Sequence, residues 1–209
     1  MTLTTELPPW CRRRPLPQGK LPACRTTVFR EWPYLYDGDV AYETQYLQRY
    51  TTCPDFLLNP CAGGRRSSRG SLHGPTPGAD LSAEFKTPFE AAGEPVSAYF
   101  YCGESVVSPA FRGHGLGKNL LRRARSPCPH PPPAIRHHTC FCAIERPLPD
   151  TRRPPAHREL HGFWKRLAYK RHPTLAASLA WKEIGSPTEN PPHPPLWIKE
   201  NTSTPQVNP

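Results

Sequence analysis

The sequence predicts an α/β domain, with strands and helices packed in layers around one core. Three observations predict it. "VSAYFYCGESVV" (Val96 to Val107) is rich in aromatic and β-branched residues, the composition of a buried strand. A glycine-rich turn follows and leads into a run with Leu116, Leu120, Leu121 and Ala124 on one side and Lys118, Arg122 and Arg125 on the other, a helical pattern. A second strand-like run, "TCFCAIE" (Thr139 to Glu145), and a second helical run, "HRELHGFWKRLAY", come next.

Taken in order, residues 1–27 are basic and proline-rich and are expected to be disordered or loosely attached. Order is expected from "TVFREWPYLY", whose Val28, Phe29, Trp32, Tyr34, Leu35 and Tyr36 are β-prone and buriable. "YDGDVAYETQYLQRY" reads as a helix capped by Asp37 or Asp39, with Tyr42, Tyr46 and Tyr50 as its core-facing stripe and Leu47 beside them. Residues 53–80 lose all apolar period and read as loop or disorder. Thr87, Pro88 and Glu90 fit the cap, first and third positions of a helix start. After the glycine turn, Pro127, Pro129 and Pro131 to Pro133 cannot lie inside a helix, which limits it to about three turns. In "HRELHGFWKRLAY", Leu160, Phe163, Trp164 and Leu167 are expected inward, and "LAASLAWKEI" and "LWIKE" close the sheet. Residues 201–209 read as a free tail.

The bulk numbers narrow the function less. Twenty-seven basic against 17 acidic residues give a net charge of +10, which favours phosphate-bearing partners without choosing among them. No stretch is long and apolar enough to span a membrane, and the first twenty residues carry three arginines and four prolines in place of a secretory apolar core. Of eight cysteines none has the C-x-x-C spacing of a zinc or redox site, so no metal is expected. Cys140 and Cys142, two apart on a strand, point to one face. Reduced thiols and a cytoplasmic location follow as expectations.

The chemistry concentrates in "SPAFRGHGLGKNLL", Ser108 to Leu121. Gly113 and Gly117 are one residue too close for a Walker A loop, and Asn119 stands where its hydroxyl residue should be. Gly113, Gly115 and Gly117 give G-x-G-x-G, which misses the dinucleotide fingerprint. Strand, glycine turn and helix still make an anion site. The first amides of a helix lack internal partners, glycines let the backbone close on a ligand, and Arg112 adds a guanidinium fork.

These residues resemble the acetyl-coenzyme A signature of the GCN5-related N-acetyltransferases, R-x-x-G-x-G between a strand and a helix. "GFWKRLAY" is similar to a later motif of that family, and "FREWPYLYDGDVAYE", "SAEFKTPFEAAG" and "AWKEIG" resemble a bacterial branch of it. The resemblance covers about two thirds of the chain, in blocks. It implies a mixed, mostly antiparallel central sheet flanked by helices, over residues 28–200. It implies that acetyl-coenzyme A is the acetyl donor, that the amides of Gly113, His114, Gly115, Leu116, Gly117 and Lys118 with Arg112 hold its pyrophosphate, and that Val107 lies beside its pantetheine arm. The implied reaction is acetyl transfer to a primary amine, on a small molecule or a protein. Glu104, three residues before Val107, is the candidate base. Trp164 stands where the family uses a tyrosine acid, Tyr169 lies more than a turn on, and Ala168 replaces the family glycine. His114 is expected to face solvent.

Two segments depart from that pattern: 53–80, where the second and third strands belong, and 126–138, where the family helix continues. They share a composition of Arg, Pro, Ser, Cys, His and Gly, as an out-of-frame reading of a GC-rich gene would give. On this reading the strand 2–3 region is incomplete or disordered and activity is impaired. The rival reading is a non-catalytic, basic, proline-rich binding protein, with "PHPPPAIR" as its docking segment. Nucleic acid is not an expected partner, because the arginines scatter and no nucleic-acid fold signature appears.

Overall fold

The computed structural model describes residues 20–52, 57–60, 69–73, 83–123, 137–179, 182–189 and 192–201. Among them the helices are α1 (Lys20–Phe29), α2 (Val40–Thr52), α3 (Ala83–Ala91), α4 (Leu116–Arg123) and α5 (His161–Arg166). The strands are β1 (Leu57–Pro60), β2 (Arg69–His73), β3 (Tyr99–Tyr101), β4 (Glu104–Val107), β5 (His138–Cys142), β6 (Lys170–Ala176) and β7 (Pro195–Glu200). They form two sheets, ordered β1-β2-β4 and β3-β5-β7-β6. Every pairing is antiparallel except β3 with β5. The result is the expected class, a mixed, mostly antiparallel open sheet with helices on its faces.

One strand-forming run supplies both sheets. Tyr99–Tyr101 pairs with β5, ending at Tyr101 opposite Cys140, and the Cys102 amide donates once more to the Cys140 carbonyl at 2.8 Å. Beyond Gly103 the chain leaves β5, and Glu104 to Val107 pair with β2 instead. The ladder of β5 with β7 continues to Cys142 opposite Leu196. Thus β4 and the end of β5, the strands flanking the α4 crossover, part at Cys102.

Period-two alternation sorts the core. Tyr99, Tyr101, Cys140, Leu196 and Leu175 pack on one face against Phe89 of α3, which is wholly buried. Cys102, Phe141, Ala143, Trp197 and Tyr169 face the other side, against Leu121 of α4 and Phe163, Trp164 and Leu167 on and beside α5. Cys140 and Cys142 share a face, as their spacing predicts. Val106 of β4 packs with Leu21 and Cys24 of α1 and Leu47 of α2. These two helices are pinned by a buried ion pair, Arg25 with Glu43, whose guanidinium lies 4.7 Å from the ring centres of both Phe29 and Tyr46. Tyr36 donates to Glu43, and burial together with that carboxylate pushes its pKa well up.

Several expectations are corrected. The 27/28 boundary falls inside α1, because Leu21, Cys24 and Val28 recur at helical spacing behind Pro22 in the first turn. Val28 and Phe29 therefore end a helix, and Tyr36 makes only a single bridge, to Glu183. Segment 53–80 is not loop throughout: Leu57–Pro60 and Arg69–His73 pair with each other, and the second of them with β4. Four and five residues are too short to show a period. Asp39 caps α2, accepting from Ala41 and Tyr42 amides at 2.8 and 2.9 Å. The buried stripe of α2 is nevertheless Glu43 and Leu47, with Tyr42 51 % exposed. The pull of Arg25 on Glu43 rotates the helix one position from the tyrosine phase.

Helix α3 starts at Ala83 and runs through Pro88, so Thr87 is no cap. Burial of Phe89 against Tyr99, 4.7 Å between ring centres, outweighs the lost amide donor. Leu160 precedes α5 and is 53 % exposed. "LAASLAWKEI" supplies only the end of β6, which starts at Lys170. The proline segment falls largely at 124–136, and the tail at 202–209, outside the described residues. Among the described residues no helix is long and apolar enough to cross a membrane.

Candidate functional site

The glycine turn begins where β4 ends. Pro109–Phe111 form one 3-10 turn, closed by the Phe111 amide on the Ser108 carbonyl (2.9 Å) and the Arg112 amide on the Pro109 carbonyl (3.2 Å). Gly113 and Gly115 then take φ of +82° and +72°, a conformation that side-chain-bearing residues rarely adopt. Left-handed residues between right-handed ones turn successive amides to one side and make an anion-sized concavity. The first helical bond of α4 runs from the Asn119 amide to the Gly115 carbonyl at 3.2 Å. From Gly113 to Lys118, six amides in a row have no partner among the described residues. Leu120 and Leu121, both buried, anchor the helix behind them.

The turn is open at its first two glycines. A β-carbon added at Gly113 or Gly115 would meet nothing within 4 Å. Gly113, His114, Gly115 and Lys118 are exposed, Leu116 and Gly117 half-buried, and the Phe163 ring lies 3.6 Å from a β-carbon built at Gly117. Six of the eight expected binding residues, Gly113 to Lys118, therefore lie together at one helix start. His114 faces solvent as expected.

Arg112 is directed elsewhere. Its Nη1 pairs with Glu31 Oε2 at 2.7 Å and its Nε donates to the Val107 carbonyl at 3.3 Å. Glu31 was not legible in the sequence: it lies 81 positions from Arg112, in the turn after α1. Val107 ends β4 opposite Arg69, and Glu104 opens the same strand opposite Leu72, on the strand that departs from β5.

Beyond the turn lies an aromatic group. Trp164 sits 5.2 Å from Phe141 and 4.9 Å from Trp197, centre to centre, and Phe141 is 4.9 Å from Tyr169. Tyr169 is buried, with Lys199 Nζ 5.8 Å from its ring centre. An indole offers no ionisable proton at this position. The thiol beside the strand fork offers none either at neutral pH, since burial pushes the Cys102 pKa up to about 12. Burial likewise raises Cys140. Cys24, Cys102, Cys140 and Cys142 carry no disulfide. Among the described residues no cluster of His, Cys, Asp and Glu could hold a metal.

The end of α5 explains the glycine-to-alanine departure. The Ala168 amide donates to the Lys165 carbonyl (2.9 Å) and the Tyr169 amide to the Trp164 carbonyl (3.0 Å), a Schellman closure with Ala168 in the position glycine usually takes. Its φ is +65°. A left-handed residue with a β-carbon costs about 1 kcal/mol. Ala168→Gly is expected to raise stability by roughly that amount, read as a higher urea midpoint with unchanged slope; an unchanged or lower midpoint contradicts the strain.

No family model matches the sequence, and no curated protein matches it. Among solved structures, the chain is similar to a Desulfovibrio desulfuricans protein assigned as an acetyltransferase of the GNAT family. The two share 12 % identity, with 90 % of this chain and 96 % of the other covered, at a TM-score of 0.48.

Proposed function

We propose that the chain is an N-acetyltransferase that moves an acetyl group from acetyl-coenzyme A to a primary amine. The observation that carries this reading is the row of six unpartnered amides, Gly113 to Lys118, at the start of α4, directly after the strand that parts from β5. Each charge-assisted bond from such an amide to a phosphate oxygen contributes roughly 1.5–3 kcal/mol, so a few suffice to hold a diphosphate. Bound there, the coenzyme supplies an acyl group activated as a thioester. The edge of β4 toward the fork is where an extended arm fits, with the Val107 carbonyl at its end.

The chain must first take one proton from the amine. An alkylammonium of pKa near 10.4 costs about 4–5 kcal/mol to neutralise at pH 7. Glu104 accepts that proton, directly or through one water. Among the described residues, burial keeps the Cys24, Cys102 and Cys140 thiols protonated, which favours attack by the amine itself over an acyl-cysteine on any of these three. Trp164 and Tyr169 supply a packed wall, not an acid, so the second proton, released from the nitrogen as the tetrahedral adduct expels the thiolate, passes through water to the departing sulfur. Holding amine and thioester together provides much of the remaining acceleration.

Glu104→Gln is expected to lower turnover about 100-fold with a panel of primary amines, within the usual span for general bases, and to abolish the acid limb of the pH–rate profile. Unchanged turnover and an unchanged profile remove Glu104 from the mechanism.

A further inference from the structure

We propose that Glu31 competes with the bound diphosphate for Arg112, so that the ion pair between them is a latch that ligand binding opens. The inference rests on the diphosphate reading of the glycine turn. Arg112 is the residue immediately before the six unpartnered amides, yet its guanidinium is turned back, with Nη1 on Glu31 at 2.7 Å and Nε on the Val107 carbonyl at 3.3 Å. Both bonds lie on the side of β4 and the turn after α1. The second also takes up the carbonyl at the end of the strand edge where the arm of the coenzyme would lie.

Glu31 cannot follow Arg112 toward the turn. Its amide donates to the Val28 carbonyl at 3.3 Å, and its own carbonyl accepts from the Tyr34 and Leu35 amides at 3.0 Å each. The backbone that carries the carboxylate is therefore fixed. The side chains are freer, with Arg112 47 % and Glu31 41 % exposed. A guanidinium in that setting can exchange a carboxylate for a phosphate without unpacking any core. Two negative partners cannot share it at no cost, so the protein binds a diphosphate more weakly than the same turn would without Glu31. The exchange also frees the Val107 carbonyl.

The test is a calorimetric titration of the full chain with coenzyme A, on wild type, Glu31→Gln, Arg112→Gln and the double variant. The latch predicts that Glu31→Gln lowers Kd roughly fivefold, the upper end for an exposed ion pair, and that Arg112→Gln raises it about tenfold. In the Arg112→Gln background, Glu31→Gln should change nothing. A Glu31→Gln variant that binds equally or more weakly overturns the latch, as does a gain that persists without Arg112, which would be charge repulsion alone. If coenzyme A binds none of the four, the diphosphate reading falls and the latch with it; if wild type and Glu31→Gln bind equally, only the latch falls. Because both side chains are exposed, unliganded melting temperatures should agree within about 4 °C, which checks that every variant folds.

Discussion

Glu43→Ala is expected to destabilise the protein by about 3–5 kcal/mol, the range for removing one partner of a buried ion pair. Glu43 is fully buried in α2, and Arg25 of α1 is 7 % exposed. Without the carboxylate the buried guanidinium stays beside the Phe29 and Tyr46 rings and loses the Glu43 ion pair. The loss reaches the site, because α1 and α2 pack on Val106 of β4 and carry Glu31 in the turn between them. For a chain of this size the melting temperature should fall on the order of 10 °C. Replacing both partners by Arg25→Met and Glu43→Leu should recover most of that loss, since a well-packed apolar pair matches a buried ion pair. A single variant that loses under 1 kcal/mol shows that Arg25 finds water or another partner, and that the pair does not hold the two helices.

Gly115→Val is expected to weaken acetyl-coenzyme A binding by about 100-fold, equivalent to two lost amide contacts. The backbone there has φ of +72°, which a β-branched residue resists, so the turn re-forms with its amides no longer convergent. A side chain at this position meets no protein atom within 4 Å of its first carbon. The effect on the unliganded fold is therefore confined to about 1–2 kcal/mol of local strain. Binding and folding are thus separable in one variant. Calorimetry on a protein with a near-native melting temperature checks the prediction; undiminished affinity would mean the coenzyme sits elsewhere.

What the sequence revealed depended on how local each cause is. The glycine turn and α4 are written in contiguous residues and appear where their patterns put them, whereas the 96–107 run is strand only at 99–101 and 104–107, with a 3-10 turn at 96–98. The face shared by Cys140 and Cys142 follows from the two-residue repeat alone. Failures came where a distant partner decides. The phase of α2 is set by Arg25, eighteen positions before Glu43. The passage of α3 through Pro88 is set by the pocket around Phe89. The strands at 57–60 and 69–73 carry little apolar signal and are defined by their ladders. The fork at Cys102 was the least legible feature, because nothing in "YFYCGES" says that its two halves take different neighbours. In the site, the helix-start amides were legible from Gly113, Gly115 and Gly117, but the turning of Arg112 toward Glu31 was not.

The central claim is that the helix start at Gly113 to Lys118 holds the diphosphate of an acyl donor. Its most direct test is the melting temperature of the full chain with increasing acetyl-coenzyme A. At 100 times Kd about 2.7 kcal/mol of stabilisation is expected, a rise of several degrees that grows with the logarithm of ligand concentration and that Gly115→Val cuts to about 0.4 kcal/mol at the same concentration. No rise at millimolar acetyl-coenzyme A, or an equal rise in wild type and Gly115→Val, would contradict it.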